Sequence, residues 1–170
     1  PLATLPERFT AGMCLRGGEE TTDFGKTRGY AVRGTMTCGG EQRQAIRMHP
    51  PYVGAVCYTY ALFDPIALPP SPPAAFRALV GKGDGSDPGD GILYRVVVID
   101  ESGQQAELAR RIVKEHKWEP IEADLSKYAG RTIRLKLIAD CGPKDNTTAD
   151  HTLWGEPRVV LTTKLLRITH

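Results

Sequence analysis

Arginines recur at alternate positions of three short runs, and guanidinium groups are well suited to bind an anion. In a β-strand, such alternation puts the apolar residues on one face and the arginines on the other. Because a guanidinium can pair bidentately with a carboxylate or sulfate, we predict that these arginines cluster and bind an anionic group. A solvated face that protects the sheet against edge pairing is the alternative. The arginines are Arg47 in Glu41–His49, Arg95 in Ile92–Asp100 and Arg134 in Thr132–Asp140.

Two tyrosines and a histidine are further candidates for contact with a ligand. Tyr58 and Tyr60 share one face of the run Val56–Phe63, and His49 directly precedes two prolines. The tyrosines either pack on the sheet or present their rings to a ligand. For His49, a role in the proline turn competes with a role as a proton-transferring base. We include all of them in the predicted ligand-binding set.

An acidic, glycine-rich loop over Gly81–Gly91 is a candidate metal site. Its carboxylates at Asp84, Asp87 and Asp90 repel one another unless water or a cation lies between them, and oxygen ligands suit Ca²⁺. The loop lacks the spacing and the terminal bidentate glutamate of an EF-hand. The sequence therefore predicts a structural Ca²⁺ here, with consecutive Asp-Gly turns as the alternative.

Recognisable catalytic and zinc-binding motifs are missing from the sequence. None of the four histidines lies in an HExxH motif, and no GxSxG motif occurs. The four cysteines form no CxxC pair, which argues against zinc. Cys14, Cys38 and Cys57 lie in apolar, strand-like runs, which favours buried free thiols over disulfides.

Length and composition indicate one folded domain. The chain has 170 residues, of which 41% are hydrophobic and 25% charged, values typical of a globular protein. A net charge of +2 is too small for a nucleic-acid-binding surface that covers the whole protein. No apolar stretch approaches the ~20 residues that a membrane helix needs. We expect neither a nucleic-acid nor a membrane partner, and a chain that begins with Pro1 fits a mature or excised segment.

Most of the chain alternates with the period of a β-strand, between glycine, proline, aspartate and asparagine residues. This pattern predicts an all-β fold in a single domain over residues 1–170, with Pro1–Arg8 loosely held. Asp64–Ala75 contains five prolines and predicts a surface crossing between two sheets. The predicted strands are Thr10–Arg16, Tyr30–Cys38, Glu41–His49, Val56–Phe63, Phe76–Gly81, Ile92–Asp100, Gln104–Val113, Trp118–Asp124, Thr132–Asp140 and Thr152–Leu166.

Trp154 follows a polar loop over Asp140–Asp150 and is either a platform for a ligand or part of the core. A platform would leave its ring exposed, whereas a core tryptophan would be buried against both sheets. Gly155 and Pro157 shape a backbone bend beneath which a ring can pack, and Leu153 is apolar. We therefore predict that Trp154 belongs to the core.

Several motifs occur together between Glu41 and Leu161. The turn Asp-Leu-Ser-x-Tyr-x-Gly at Asp124–Gly130 is followed by an apolar strand and a polar loop that closes on Trp-Gly. This arrangement resembles carbohydrate-binding jelly rolls of the galactose-binding-like superfamily, especially the NPCBM type found beside bacterial glycoside hydrolases and sulfatases. The other residues that carry the resemblance are Arg47–Pro51, Val80-Gly81, Asp84-Gly85, Asp90–Ile92, Trp118, Asp150 and Trp154–Arg158.

The resemblance implies a two-sheet antiparallel β-sandwich of jelly-roll type, a non-catalytic role and, in some members, a structural Ca²⁺. We accordingly expect a carbohydrate-binding or accessory module of an exported bacterial polysaccharide-processing protein, such as a glycoside hydrolase or sulfatase. It would be secreted, periplasmic or on the cell surface, and its partner would be a glycan, anionic if the arginines bind it, or a neighbouring domain of the same polypeptide.

Two other hypotheses remain open, because a fold of this type hosts unrelated functions. The first is a structural or protein-contact β-sandwich in a larger cell-surface protein. The second is a small jelly-roll polysaccharide lyase, in which Tyr58 or Tyr60 would act with His49 and Arg47 to neutralise a carboxylate and move a proton.

Overall fold

Two antiparallel β-sheets pack face to face in the computed structural model, which describes residues 5–54, 56–86 and 89–162. The predicted all-β, two-sheet sandwich is therefore confirmed. One 3₁₀ turn, Ser126–Tyr128, follows the tenth strand. The strands are β1 (Phe9–Leu15), β2 (Glu20–Thr21), β3 (Tyr30–Cys38), β4 (Glu41–His49), β5 (Cys57–Phe63), β6 (Ile66–Ala67), β7 (Ala74–Lys82), β8 (Ile92–Ile99), β9 (Gln105–Val113), β10 (Glu119–Asp124), β11 (Thr132–Asp140) and β12 (Thr152–Leu161).

The chain passes repeatedly from one sheet to the other. The seven-stranded sheet has the order β2-β1-β5-β11-β8-β9, with β6 paired to β11, and the five-stranded sheet has the order β10-β7-β12-β4-β3. The steps from β4 to β5, from β7 to β8 and from β10 to β11 each change sheet, which is the connectivity of a jelly roll. The proline-rich segment connects β5 of one sheet to β7 of the other, as predicted.

The ten predicted strands are all present, although several ends differ by one or two residues. The last strand ends at Leu161, and residues 163–166 of its predicted range lie outside the described part of the chain. Strands β2 and β6 and the 3₁₀ turn were not predicted, because elements of two or three residues carry no periodic pattern. In the described ranges, no helix has the length and hydropathy to cross a membrane.

Residues 5–8 of the N-terminal segment contact the body of the domain. Leu5 packs against the hydrophobic core. The Arg33 Nε donates a hydrogen bond of 2.9 Å to the Glu7 carbonyl, and the Asp64 N–H donates one of 3.3 Å to the Arg8 carbonyl. These bonds connect the segment to β3 and to the end of β5, and residues 1–4 lie outside the described ranges.

The core lies between the sheets and contains the alternate side chains of each strand. Trp154 is fully buried there, which confirms the core assignment, and its ring meets Tyr94 at 5.1 Å and Phe76 at 6.3 Å in edge-to-face geometry. On β11 the predicted inward set is buried as expected: Ile133, Leu135, Leu137 and Ala139. All four cysteines are buried free thiols, as predicted: Cys14, Cys38, Cys57 and Cys141.

The turn of the β3–β4 hairpin is bonded to the loop that follows β7. The Asp84 carboxylate accepts the N–H groups of Gly39 and Gly40 at the hairpin turn, at 2.7 and 2.8 Å. A side chain at Gly155 would place its Cβ 2.8 Å from the ring of Trp118, so only glycine permits this ring to lie against β12. These contacts hold the hairpin turn and the Trp118 ring in place on the five-stranded sheet.

Replacement of Trp154 by alanine should lower the free energy of unfolding by about 3–5 kcal/mol, because the vacated volume is fully enclosed. Urea denaturation measures this change directly. Val32→Ala is a suitable control, since Val32 is an exposed apolar residue of the same sheet and should cost less than about 0.5 kcal/mol. A Trp154→Ala protein as stable as the control would contradict the core assignment.

Candidate functional site

A cleft of about 550 Å³ opens where the end of β4 meets the start of β12, on the outer face of the five-stranded sheet. We call it the β4–β12 cleft. A second cavity of about 220 Å³ lies beside it and shares Arg47 and His151 with it, so that the two form one groove. The cleft is lined by Tyr30, Arg47, His49, Tyr52, Thr147, Thr148, Ala149 and His151.

Strand alternation positions the cleft residues. Ile46 and Met48 of β4 are fully buried in the core, which turns Arg47 outward between them. The β3–β4 pairing places Tyr30 opposite His49. His151 directly precedes β12, whose Leu153 is the register partner of Arg47, and its carbonyl accepts the Gly83 N–H at 2.8 Å.

The polar centre of the cleft is a contact between Arg47 and His151. Arg47 Nη2 lies 2.8 Å from His151 Nδ1, and the guanidinium carbon lies 5.7 Å from the centre of the Tyr30 ring. Burial, together with the charges of Arg47, His49 and Lys82, lowers the pKa of His151. At neutral pH the cleft therefore contains one fixed positive charge on Arg47 beside a neutral imidazole.

Aromatic rings form the wall around this contact. His49 is buried, its Nδ1 lies 2.7 Å from the Pro50 carbonyl, and burial lowers its pKa. Its ring centre is 4.7 Å from that of Tyr52, 5.6 Å from that of His151 and 6.2 Å from that of Tyr30. Tyr52 is 43% exposed, whereas burial raises the pKa of the Tyr30 phenol. Tyr52 is thus the exposed aromatic residue at the rim.

The predicted ligand-binding residues divide between two opposite surfaces. Arg47 and His49 belong to the cleft, on the five-stranded sheet. The remaining residues lie on β5, β8 and β11 of the seven-stranded sheet, where they share the outer face. The predicted cluster of three arginines is therefore not formed. Alternation predicts which side chains of a strand point outward, but it does not predict which of the two sheets the strand joins. The residues of this second surface are Tyr58, Tyr60, Arg95 and Arg134.

Side chains on the second surface are engaged with one another. Arg95 pairs with Glu107 at 2.8 Å and with Asp140 at 3.0 Å. Glu20 of β2 accepts hydrogen bonds from the Tyr58 hydroxyl at 2.8 Å and from the buried Lys136 ammonium at 2.6 Å. The other two predicted residues are also held, Arg134 by a hydrogen bond to the Phe63 carbonyl and Tyr60 by burial beneath Lys136.

The described residues do not assemble the predicted calcium site. Asp84 uses its carboxylate to cap the hairpin turn, and these hydrogen bonds lower its pKa. Asp90 instead lies near Asp150. In the described ranges, no three histidine, cysteine or acidic side chains are grouped so as to hold a metal ion. Asp87 lies outside the described residues, so the calcium site stays a prediction.

Only Arg47 and His49 of the eight lining residues were predicted from the sequence, and Tyr30, Tyr52 and His151 are among the six that were not. Tyr30 could have been found, because the Gly39-Gly40 turn sets the hairpin register that places Tyr30 opposite His49. Tyr52 and His151 carry no such signal. Tyr52 follows a strand end, and His151 meets Arg47 across 104 residues of sequence.

The loop that forms the rim of the cleft ends at a buried carboxyl group. Asp150 is 1% exposed, and neither of its side-chain oxygens has a hydrogen-bond partner among the described residues. Its backbone N–H donates to the Thr147 carbonyl at 3.2 Å. Burial and the nearby Asp90 raise the pKa of Asp150 to about 8, against the opposing charge of Lys82. At neutral pH this carboxyl group is mostly protonated.

Comparison of the sequence with known proteins finds similarity over only part of the chain. No protein-family model matches the chain. A curated relative, described as an uncharacterized protein of Archaeoglobus fulgidus, is 34% identical over 76 residues, which cover 42% of this chain and 19% of the relative. The match thus spans about a fifth of that protein's length.

Solved structures show the fold. The CBM22-1 xylan-binding domain of Paenibacillus barcinonensis Xyn10C is similar with a TM-score of 0.50 and 14% identity, over 80% of this chain and 83% of that domain. A xylan-binding domain of CBM 22 gives a TM-score of 0.49 and 11% identity, over 95% and 93% of the two chains. The likeness to the Paenibacillus domain confirms a β-sandwich fold of the carbohydrate-binding-module type. The NPCBM subtype stays a prediction.

Replacement of Asp150 by asparagine should change how stability depends on pH. The pKa of Asp150 is raised to about 8 in the folded state, against about 3.9 in an unfolded chain. Between these values the folded protein keeps a proton that the unfolded chain has lost, so its unfolding free energy falls as the pH rises. The amide group of the variant cannot ionise. The stability of Asp150→Asn relative to the wild type should therefore grow from about pH 5 to about pH 8 in denaturant unfolding, and a constant difference would contradict the buried protonated carboxyl group.

Proposed function

We propose that this domain is a non-catalytic carbohydrate-binding module whose glycan docks in the β4–β12 cleft. The observation that carries the proposal is the exposed Tyr52 beside the polar pair of Arg47 and His151, in a cleft of about 550 Å³. Binding sites of this size combine apolar or aromatic walls with a few positioned polar groups. The ring offers an apolar face to a pyranose, and the polar pair offers hydrogen bonds to its hydroxyl groups.

The fold supports a glycan as the first class of ligand to test. The Paenibacillus domain of the same fold is named a xylan-binding domain. A fold by itself does not determine function, so glycan binding by this chain depends on the residues of its own cleft. Xylan is accordingly the first probe, together with other neutral and acidic polysaccharides.

We further infer that the module belongs to an exported polysaccharide-processing protein, to which it is an accessory domain. A glycan-binding module increases the local concentration of an attached enzyme at its polymer, which is the usual benefit of linking two binding events. Secretion, or placement in the periplasm or on the cell surface, follows from the location of such polymers. A neighbouring domain of the same polypeptide is the other partner that we consider.

The polysaccharide-lyase hypothesis loses its proposed active site in the structure. The Thr59 hydroxyl points inward and donates to the His49 carbonyl at 2.8 Å. Tyr58 and Tyr60, the neighbours of Thr59 on β5, therefore point away from His49 and Arg47. The residues that would transfer the proton in this hypothesis are therefore not brought together.

Tyr52→Ala and Arg47→Ala should each weaken glycan binding by about tenfold or more, with little change in thermal stability, because both side chains face the cleft. A glycan array followed by isothermal titration calorimetry with xylohexaose, or with the best glycan on the array, measures the loss. Arg77→Ala is a matched control for the arginine, since Arg77 lies on the same sheet and pairs with Glu122 outside the cleft. Tyr58→Ala is the control for the tyrosine.

The outcomes separate the remaining hypotheses. Loss of binding in Tyr58→Ala but not in Tyr52→Ala would move the glycan site to the seven-stranded sheet. If no glycan binds at all, the structural or protein-contact role is favoured. Formation of an ultraviolet-absorbing unsaturated product from a uronic-acid polymer would establish a lyase.

A further inference from the structure

We infer that His49 and His151 form a complementary donor–acceptor pair that recognises one hydroxyl group of a neutral sugar and loses this ability when either ring is protonated. This inference rests on the proposed function, because it names the ligand class and the pH response of the same cleft. It depends on which ring nitrogen of each histidine carries the hydrogen. The hydrogen-bond partners of the two rings determine that choice.

The tautomer of His151 follows from its contact with Arg47. A guanidinium can only donate hydrogen bonds and stays charged in proteins. Since Arg47 Nη2 lies 2.8 Å from His151 Nδ1, this nitrogen must be the acceptor. A neutral His151 ring then carries its hydrogen on Nε2, which is a donor.

The tautomer of His49 is the opposite one. A carbonyl oxygen can only accept, and His49 Nδ1 lies 2.7 Å from the Pro50 carbonyl, so Nδ1 carries the hydrogen. Burial of the ring favours its neutral form. The Nε2 of His49 is therefore left with an acceptor lone pair. Among the described residues, neither Nε2 has a hydrogen-bond partner.

A sugar hydroxyl group matches such a pair, because it donates one hydrogen bond and accepts others. The two rings lie 5.6 Å apart between centres, at an angle of 78°, and both line the cleft. A carboxylate or sulfate only accepts, so it would satisfy His151 but would meet the lone pair of His49. The pair therefore selects a neutral sugar at this position, in contrast to the anionic glycan expected from the arginine pattern.

Protonation removes the complementarity. A proton on His151 Nδ1 would face the Arg47 guanidinium and break the contact between them. A proton on His49 Nε2 would turn the acceptor into a donor. Both histidines have pKa values below the ordinary 6.5, so the contribution of the pair to affinity should fall as the pH decreases below that value. The charged and titratable groups around the two rings are Arg47 on β4, Tyr30 on β3, Lys82 on β7, and Tyr52, Asp84 and Asp150 in the adjoining loops.

The first test is nuclear magnetic resonance of histidine ring nitrogens in the ligand-free protein at about pH 7.5, which reports tautomers directly. We expect hydrogen on Nδ1 of His49 and on Nε2 of His151. The same tautomer in both rings, or a charged ring at this pH, would overturn the inference without bearing on whether a glycan binds.

The second test compares xylohexaose, or the best neutral glycan on the array, with its monodeoxy analogues. In the wild type, removal of one hydroxyl group should cost about tenfold or more in affinity. In His49→Phe and His151→Phe, which keep a ring but lose the polar nitrogen, removal of that same hydroxyl group should cost little further. His116→Phe serves as a control, because His116 lies outside the cleft and bonds to the Lys82 carbonyl.

The outcomes distinguish this inference from the proposed function. Glycan binding that is unaffected by both cleft-histidine variants, with an equal deoxy penalty in wild type and variants, would overturn the histidine pair and leave the binding module standing. Tighter binding of acidic than of neutral glycans would overturn the ligand class. Absence of binding to any glycan would overturn both proposals.

Discussion

One buried hydroxyl group connects the two sheets, and the cleft depends on it. Tyr94 projects from β8 with its side chain fully buried, donates to the Gly81 carbonyl at 2.5 Å and accepts the Leu153 N–H at 3.1 Å. Gly81 and Leu153 are register partners in β7 and β12 of the opposite sheet. Loss of the phenol would leave buried backbone groups unpaired, at about 1–3 kcal/mol each. Burial raises the pKa of Tyr94, so the hydroxyl remains a donor.

The position of the cleft follows from this anchor. Leu153 is also the register partner of Arg47, so fixing the start of β12 fixes the side of β4 that His151 faces. A second bond, from the Gly83 N–H to the His151 carbonyl at 2.8 Å, holds the same chain end from β7. The polar pair therefore stands on strand ends anchored in the core, which is the support that a precise binding geometry requires. Thr147 and Thr148, at the rim of the cleft, lie in a loop that is neither helix nor strand.

Local patterns were sufficient for the ten longer strands but not for the two-residue strands β2 and β6, nor for the partition of residues between the sheets. Alternation on β4, β8 and β11 correctly indicated which side chains point outward, and the Gly39-Gly40 turn was enough to set the β3–β4 register. Arg47 nevertheless lies on the sheet opposite to Arg95 and Arg134, because sheet membership is decided by pairings between distant strands. The same limit hid His151, whose partner lies 104 residues away.

Charge pairing distinguishes the arginine-rich second surface from the β4–β12 cleft. Arg95 is satisfied by Glu107 and Asp140, so an incoming anion would have to displace carboxylates that are already well placed. Arg47 instead contacts a neutral imidazole and the face of Tyr30. This hydrogen bond fixes the orientation of the His151 ring beside Arg47. The cleft therefore differs from the second surface: its guanidinium has no carboxylate partner among the described residues, and it lies beside neutral donors and acceptors and the exposed Tyr52.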